Sequence, residues 1–278
     1  MRVLITGRNG FLARELSDRL DDFEVTCVGR QEVDLTNSHN VDLFFEDKTF
    51  DAVLHTAIIG GRRGQQDEFK DFSDNVSMFS NLLRHKDKFN KFINFCSGAA
   101  FGRCADIYEW HENRIHSWLP GGGDYYGMSK NIIGRECNKL DGFYNLRLFG
   151  CFGFHEAEKR FVKSALEKAL VGEPIVIHQN KMMDYISAED ICTVVRHYLV
   201  SDIKKELQDI NICYEDKTTL RGIAVKIVNL TKSESEIIIE EPGFSVSYTG
   251  NADKLKSLNL SLQGIEKGLL ALLEKLIG

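Results

Sequence analysis

Three side chains carry most of the chemistry this sequence offers. Tyr126 and Lys130 stand four residues apart in Asp124-Tyr125-Tyr126-Gly127-Met128-Ser129-Lys130, a segment that opens a helical pattern just after Gly121, Gly122 and Gly123. That spacing puts both side chains on one face of a helix. A phenol with its ordinary pKa near 10 is a poor acid or base at neutral pH, and an ammonium held beside it favours the phenolate. Tyr-x-x-x-Lys pairs also arise by chance on helices, so the third residue matters. Ser97 follows the apolar run Phe92–Phe95. A hydroxyl at a strand end, where sheets of this kind bind ligands, can polarise a carbonyl or alkoxide beside the phenol.

The run Val3-Leu4-Ile5 leads into Thr6-Gly7-Arg8-Asn9-Gly10-Phe11-Leu12-Ala13, with a helical pattern directly behind it. Glycines in such a turn let the backbone approach a pyrophosphate, which the helix N–H groups and positive dipole end then hold. Two glycines alone are a weak signal. Their place between an apolar strand and a helix, at the start of the chain, strengthens it. The segment therefore predicts a dinucleotide site at Gly7, Arg8, Asn9, Gly10, Phe11 and Leu12. An acid about 20 positions further on would bind the ribose 2′-hydroxyl of NAD, whereas an arginine accommodates the extra phosphate of NADP. Arg30 stands at that place, and Arg8 is a second candidate for the same phosphate. NADP is the expected cofactor and NAD the alternative; the plain reading of both arginines is a solvated surface. Lys130 then also becomes a candidate to bond the nicotinamide ribose.

The elements that must position these residues alternate. Apolar runs at Val3–Ile5, Phe23–Val28, Ala52–Leu54, Phe92–Phe95 and Phe143–Phe149 are separated by helical patterns near 11–20, 37–47, 66–86 and 125–140. Near-continuous apolar strands alternating with helices predict an α/β fold, a Rossmann-type doubly wound parallel sheet. Beyond about residue 155 the alternation loosens. Helices are expected at 158–171, 188–200, 218–230 and 262–277. Short strands are expected at Ile175–Ile177, Asp184–Ile186, Asn211–Cys213 and Ile237–Ile239. The last helix gathers Leu262, Ile265, Leu269, Leu272, Leu273 and Leu276 on one face and reads as a packing helix. The expected division is a cofactor-binding domain of residues 1–155 plus about 185–205. A smaller, interwoven α/β lobe of 156–184 and 206–278 would close over the substrate.

Composition excludes several classes. A formal net charge of −6 over 278 residues argues against a nucleic-acid binder. Seven scattered cysteines without a Cys-x-x-Cys pair give neither a disulfide framework nor a metal site. No signal-peptide pattern or membrane-length apolar run is present, so the expected location is the cytoplasm. His55, His155 and His178 form no metal-like spacing and read as structural. A small-molecule substrate is the expected partner, and a homodimer is the assembly this reading allows.

Taken in order, the glycine turn, Asp34-Leu35, Ser97-Gly98-Ala99-Ala100-Phe101-Gly102, Tyr126-x-x-x-Lys130, Arg147-Leu148-Phe149-Gly150-Cys151-Phe152-Gly153 and Asp184-Tyr185-Ile186 resemble the extended short-chain dehydrogenase/reductases over nearly the whole chain. These form the NAD-dependent epimerase/dehydratase family. The resemblance implies that Ser97, Tyr126 and Lys130 are catalytic and that Asp34 and Leu35 line an adenine pocket. It also implies that Asn75 supports the active site, and Ala57, past the third strand, is assigned to the cofactor. Within the family, Arg30-Gln31-Glu32-Val33-Asp34-Leu35 and Ile58-Ile59-Gly60-Gly61 look most like GDP-fucose synthases and dTDP-4-dehydrorhamnose reductases.

That likeness implies an NADP-dependent reductase of a 4-keto nucleotide sugar, with Tyr126 transferring the proton. The alternatives are an NAD-dependent 4-epimerase and a non-catalytic NADP-sensing regulator, which would typically lack the tyrosine and lysine. Three departures shape the expectation. Gly150 stands where relatives often have an asparagine, and Met183 where many have an arginine that clamps the diphosphate. Arg160, Lys163 and Lys181 are the candidate substitutes, with Ser97 completing the substrate contacts. Ala99 replaces the epimerising cysteine of fucose synthases, which leaves reduction or 4-epimerisation.

Overall fold

The computed structural model describes residues 1–61 and 64–278. The chain starts with β1 (Arg2–Thr6), α1 (Phe11–Arg19), β2 (Glu24–Val28), α2 (Ser38–Phe45), β3 (Phe50–His55), α3 (Phe69–Leu83) and β4 (Phe89–Ser97). There follow β5 (Ile107–Trp110), α4 (Arg114–Ser117), α5 (Tyr125–Cys137), β6 (Phe143–Leu148), β7 (Cys151–Phe152), α6 (Phe161–Leu170) and β8 (Ile175–Asn180). The remainder is β9 (Ile186–Ser187), α7 (Ala188–Val200), β10 (Asp209–Ile212), α8 (Leu220–Thr231), β11 (Ile237–Phe244), β12 (Tyr248–Gly250), α9 (Asp253–Ser257) and α10 (Gly264–Ile277).

The chain divides into two compact units, one of 1–103, 112–147 and 196–210, the other of 104–111, 148–195 and 211–278. The principal sheet has six strands in the order β10-β6-β4-β3-β1-β2. β1 pairs in parallel with β2 on one side and β3 on the other, and Thr6 is level with both Val28 and His55. β1 is thus the point where the winding reverses, and the crevice beyond its end is where such sheets bind ligands.

Side-chain alternation along a strand explains the layers. Leu4 joins Val28, Val53, Phe92 and Phe143 in a core with Val41 and Phe45 of α2, Met78 and Leu82 of α3 and Ile133 of α5. Helix α1 packs instead against β1 and β2 outside that core. Helix ends are fixed locally: Asn37 accepts the Asn40 N–H at 3.2 Å to start α2, and Glu68 and Asp71 form a capping box on α3. Lys91 Nζ donates to the carbonyls of Tyr198, Leu199 and Ser201 at 2.9, 2.9 and 2.7 Å, closing the C-terminal end of α7 with a cation.

The second unit pairs β8 with β11 and β5 with β12, both in parallel. Its core joins Val162, Leu166 and Ala169 of α6 to Ile175 and Ile177 of β8, Ile223 and Ile227 of α8, and Leu269, Leu272 and Leu273 of α10. α10 is therefore a packing helix, as its periodicity implies; Leu262 precedes it and is not part of it. Asp184 and Tyr185 are not in a strand, and only Ile186–Ser187 pairs there. The reason is Asp184 itself, whose Oδ2 accepts the Gly250 N–H at 2.8 Å and Lys217 Nζ at 3.0 Å. Burial pushes this carboxyl up to about 6 against the pull of Lys217. Among the described residues no helix is long and apolar enough to cross a membrane.

Candidate active site

Beyond the ends of β1, β2 and β3 lies a cavity of about 300 Å³ lined by Gly7, Asn9, Gly10, Arg30, Asp34, Leu35 and Ala57. All seven are residues expected at the cofactor. Gly7 has φ +79°, and a Cβ there would come within 2.9 Å of the Ala57 backbone, so only glycine fits the turn. Gly10 is the N-cap of α1, and no side chain caps that first turn, leaving its N–H groups available for an anion. A pyrophosphate suits this cradle. Phe11 and Leu12 begin α1 and do not line the cavity, whereas Val28, Gly29, Ile58, Ile59 and Met78 do.

Asn75, fully buried, lies behind the cavity wall. Its Oδ1 accepts the Ile59 N–H and its Nδ2 donates to the Ile59 carbonyl, both at 2.9 Å, and Nδ2 also reaches Ser129 Oγ at 3.2 Å. It ties the segment after β3 to α5. His55 is buried 3.0 Å from Thr6 Oγ1, and burial lowers its pKa to about 3, so it remains neutral. It acts as a structural group.

Helix α5 begins where Asp124 accepts the Gly127 N–H at 3.0 Å, which sets Tyr126 and Lys130 in the first two turns. Lys130 is buried, with Nζ 2.6 Å from the Phe95 carbonyl and 5.8 Å from the Tyr126 ring centroid. Burial lowers its pKa to about 8, which leaves it a cation at neutral pH. Ser97 ends β4 two residues past Phe95, and its Oγ accepts the Ala99 N–H at 3.2 Å. The strand that carries Ser97 therefore also anchors the ammonium beside Tyr126.

Arg103 also belongs to the site. Its guanidinium carbon lies 5.8 Å from the Tyr126 ring centroid, its Nε donates to Asp124 at 2.8 Å, and Nη2 pairs with the buried Asp67. Asp67 in turn accepts the Gly61 N–H at 2.8 Å. A Cβ on Gly61 would stand 2.8 Å from the Tyr126 ring carbons. The ring is thus held between α5 and the segment after β3 by a chain of hydrogen bonds. Arg103 is one residue past the Ser97–Gly102 motif, and no spacing rule marks it.

The candidate substrate cations lie in the second unit and do not form one cluster. Arg160 pairs with Glu156 at 3.1 Å, while Lys163 donates to the carbonyls of Phe154 and Glu156 at 3.1 and 3.2 Å. Lys181 sits elsewhere, with Nζ 5.8 Å from the Tyr248 ring centroid. Met183 packs against the second core.

The reversing parallel sheet, the glycine cradle and the tyrosine–lysine pair beside a strand-end serine define a Rossmann-type protein of the extended short-chain dehydrogenase/reductase class. The chain belongs to the NAD dependent epimerase/dehydratase family, whose sequence profile matches residues 3–213. It is 24% identical over 205 residues to a UDP-glucose 4-epimerase of Cyamopsis tetragonoloba, covering 69% of this chain and 49% of that protein. The chain thus spans about half the length of that relative. Among solved structures it is similar to a GDP-mannoheptose C4 reductase from Campylobacter jejuni with NADP bound, with a TM-score of 0.83 at 18% identity over 100% of this chain and 98% of the other. A GDP-L-fucose synthetase from Naegleria fowleri gives 0.82 at 17% identity, over 98% and 92%.

Proposed function

We propose that this chain is an NADP-dependent reductase of a 4-keto nucleotide sugar. The observation that carries the reading is the buried Lys130 ammonium, anchored to the end of β4 beside both Ser97 and the Tyr126 ring. Gly7, Gly10 and the first turn of α1 would hold the pyrophosphate, and Asp34, Leu35 and Arg30 the adenosine end. The bound nicotinamide supplies a hydride for the carbonyl carbon. Ser97 polarises the carbonyl, Tyr126 gives its proton to the oxygen, and Lys130 eases the formation of the phenolate. Both solved structures named above are of GDP-sugar enzymes, and one holds NADP. The reading is tested by screening nucleotide sugars for a raised melting temperature in the presence of NADPH, since a specific ligand must stabilise the folded chain. NADPH oxidation is then followed with the 4-keto form of any hit. No stabilising sugar nucleotide and no oxidation would refute the reading.

The cofactor preference has its own test. Wild-type protein is expected to bind NADPH more tightly than NADH, and Arg30→Ala to erase about tenfold of that preference, as loss of a phosphate-paired cation implies. Tighter NADH binding by the unaltered chain would reject it.

A nucleotide diphosphate also needs a cation that Met183 does not supply. Alanine at Arg160, Lys163 or Lys181 is expected to raise KM for the sugar nucleotide about tenfold with kcat little changed, the pattern of lost ground-state binding. Three unchanged KM values would point to a smaller substrate without a diphosphate.

One observation favours a second reading, a 4-epimerase that retains NAD: Glu32 places a carboxylate against the end of β2. NAD found bound after purification, with no net NADPH oxidation, would establish it.

A further inference from the structure

Arg8, the second candidate for the 2′-phosphate, is already engaged. Its Nε and Nη2 donate to the Cys27 carbonyl at 2.9 and 2.6 Å, and Nη1 pairs with Glu32. The chain turns back after β2 because the N–H groups of Glu32 and Val33 donate to the Gly29 carbonyl at 3.1 and 3.0 Å. This returns the Glu32 carboxylate to the strand end, where Oε2 accepts the Gly29 N–H at 2.8 Å. A Cβ on Gly29 would lie 3.4 Å from that oxygen and 3.6 Å from Arg8 Cβ. The ion pair therefore sits against Gly29, which lines the cavity next to Arg30.

We propose that Glu32 is an internal rival of the NADP 2′-phosphate for Arg8, a specificity-determining residue that limits the NADP preference conferred by Arg30. This rests on the dinucleotide reading given above. The Arg8–Glu32 pair stands next to Arg30 and Asp34, which line the cavity, and Lys70 also acts on Asp34. A hydrogen bond from Thr36 holds the Asp34 carboxyl below its usual range, so it is ionised. Arg30 is exposed and has no hydrogen bond or ion pair among the described residues, which makes it the ready phosphate ligand. A 2′-phosphate arriving there meets the Glu32 carboxylate as a like charge and must take Arg8 away from it. A ribose 2′-hydroxyl is a neutral donor that a carboxylate accepts, so NAD leaves the pair intact. The rivalry is resolvable because the pair is solvated: the Arg8 and Glu32 side chains are 49% and 35% exposed, and such pairs contribute little to stability.

The test uses the full chain and measures Kd for NADPH and NADH by direct titration, with adenosine 2′,5′-bisphosphate and 5′-AMP as probes of the corner alone. Glu32→Gln is expected to tighten NADPH and the bisphosphate about tenfold while changing NADH and AMP less than about threefold. Arg8→Gln, which leaves the carboxylate without its cation, is expected to move the ratio the opposite way. An NADPH-to-NADH ratio that stays within about twofold in Glu32→Gln, with both cofactors still bound, overturns the role of Glu32. Failure of the wild-type chain to bind either dinucleotide overturns the site reading itself and, with it, the proposal.

Discussion

Tyr126→Phe should fold, bind NADPH as the wild type does, and lose about 10² to 10⁴ in kcat, the usual contribution of a general acid–base group. The substitution removes one oxygen and keeps the ring. Gly61 lies against the ring carbons, and Arg103 and Lys130 each stand 5.8 Å from its centroid. These contacts are made by the ring and are kept in phenylalanine, so the melting temperature and the cofactor Kd serve as the controls. The lost quantity is the proton donor, which acts only as charge develops on the substrate oxygen; kcat and kcat/KM should therefore fall together. The assay is NADPH oxidation under saturating 4-keto substrate. A rate within about threefold of wild type would move the proton transfer to another group and reduce Tyr126 to a wall of the site. Tyr125 is the neighbour to examine, although its ring sits edge-on to Phe69, with the centroids 5.8 Å apart.

The parts of the molecule legible in the sequence are those where local pattern and long-range structure coincide. The inner strands of the central sheet read as largely apolar runs because both faces are covered, and the glycine turn lies between the first strand and a helix. The tyrosine–lysine pair was legible because helical spacing alone sets which side chains share a face. Glu32 was not, although it lies twenty-two positions past Gly10, near where an acid is sought. Arg30 occupied the expected register, and only the turn at Gly29 brings Glu32 back to the strand end. The β5–β12 pair escaped for a different reason. Ile107–Trp110 and Tyr248–Gly250 are too short to show a period, and Glu109 takes a left-handed φ of +48° within the strand. Their pairing is fixed by residues about 140 positions away, such as the Glu109 N–H bonded to Thr249 Oγ1 at 2.8 Å.

Charged residues inside apolar strands were the least legible feature, and one of them should have the largest effect on stability. Arg147 reads as a polar interruption of the β6 run, yet it is 0% exposed. One partner is sixty-two positions distant: Nη2 donates to Asp209 Oδ1 and Oδ2 at 2.9 and 3.1 Å. The same carboxylate accepts Asn145 Nδ2 at 2.8 Å and Asn138 Nδ2 at 2.9 Å, and Asn145 in turn accepts Asn94 Nδ2 at 2.7 Å. Asp209 thus satisfies donors from β6 and from the residue that caps the C-terminal end of α5, and through Asn145 it reaches β4. Asp209→Ala is expected to lower the unfolding free energy by about 3–5 kcal/mol, because it removes the carboxylate that pairs with a fully buried guanidinium. The midpoint of urea denaturation measures this. Activity should fall as well: the Arg147 guanidinium carbon lies 4.7 Å from the Phe101 ring centroid, and Phe101 ends the turn that starts from Ser97. The double variant Arg147→Met, Asp209→Leu separates the cost of an orphaned charge from the worth of the pair. Apolar replacements of similar volume often match or exceed a buried ion pair, so the double variant should regain most of the loss. A single-variant cost below about 1 kcal/mol would show that Glu112 or water takes up Arg147 once Asp209 is gone, and the pair with Asp209 would then not be a stabilising one.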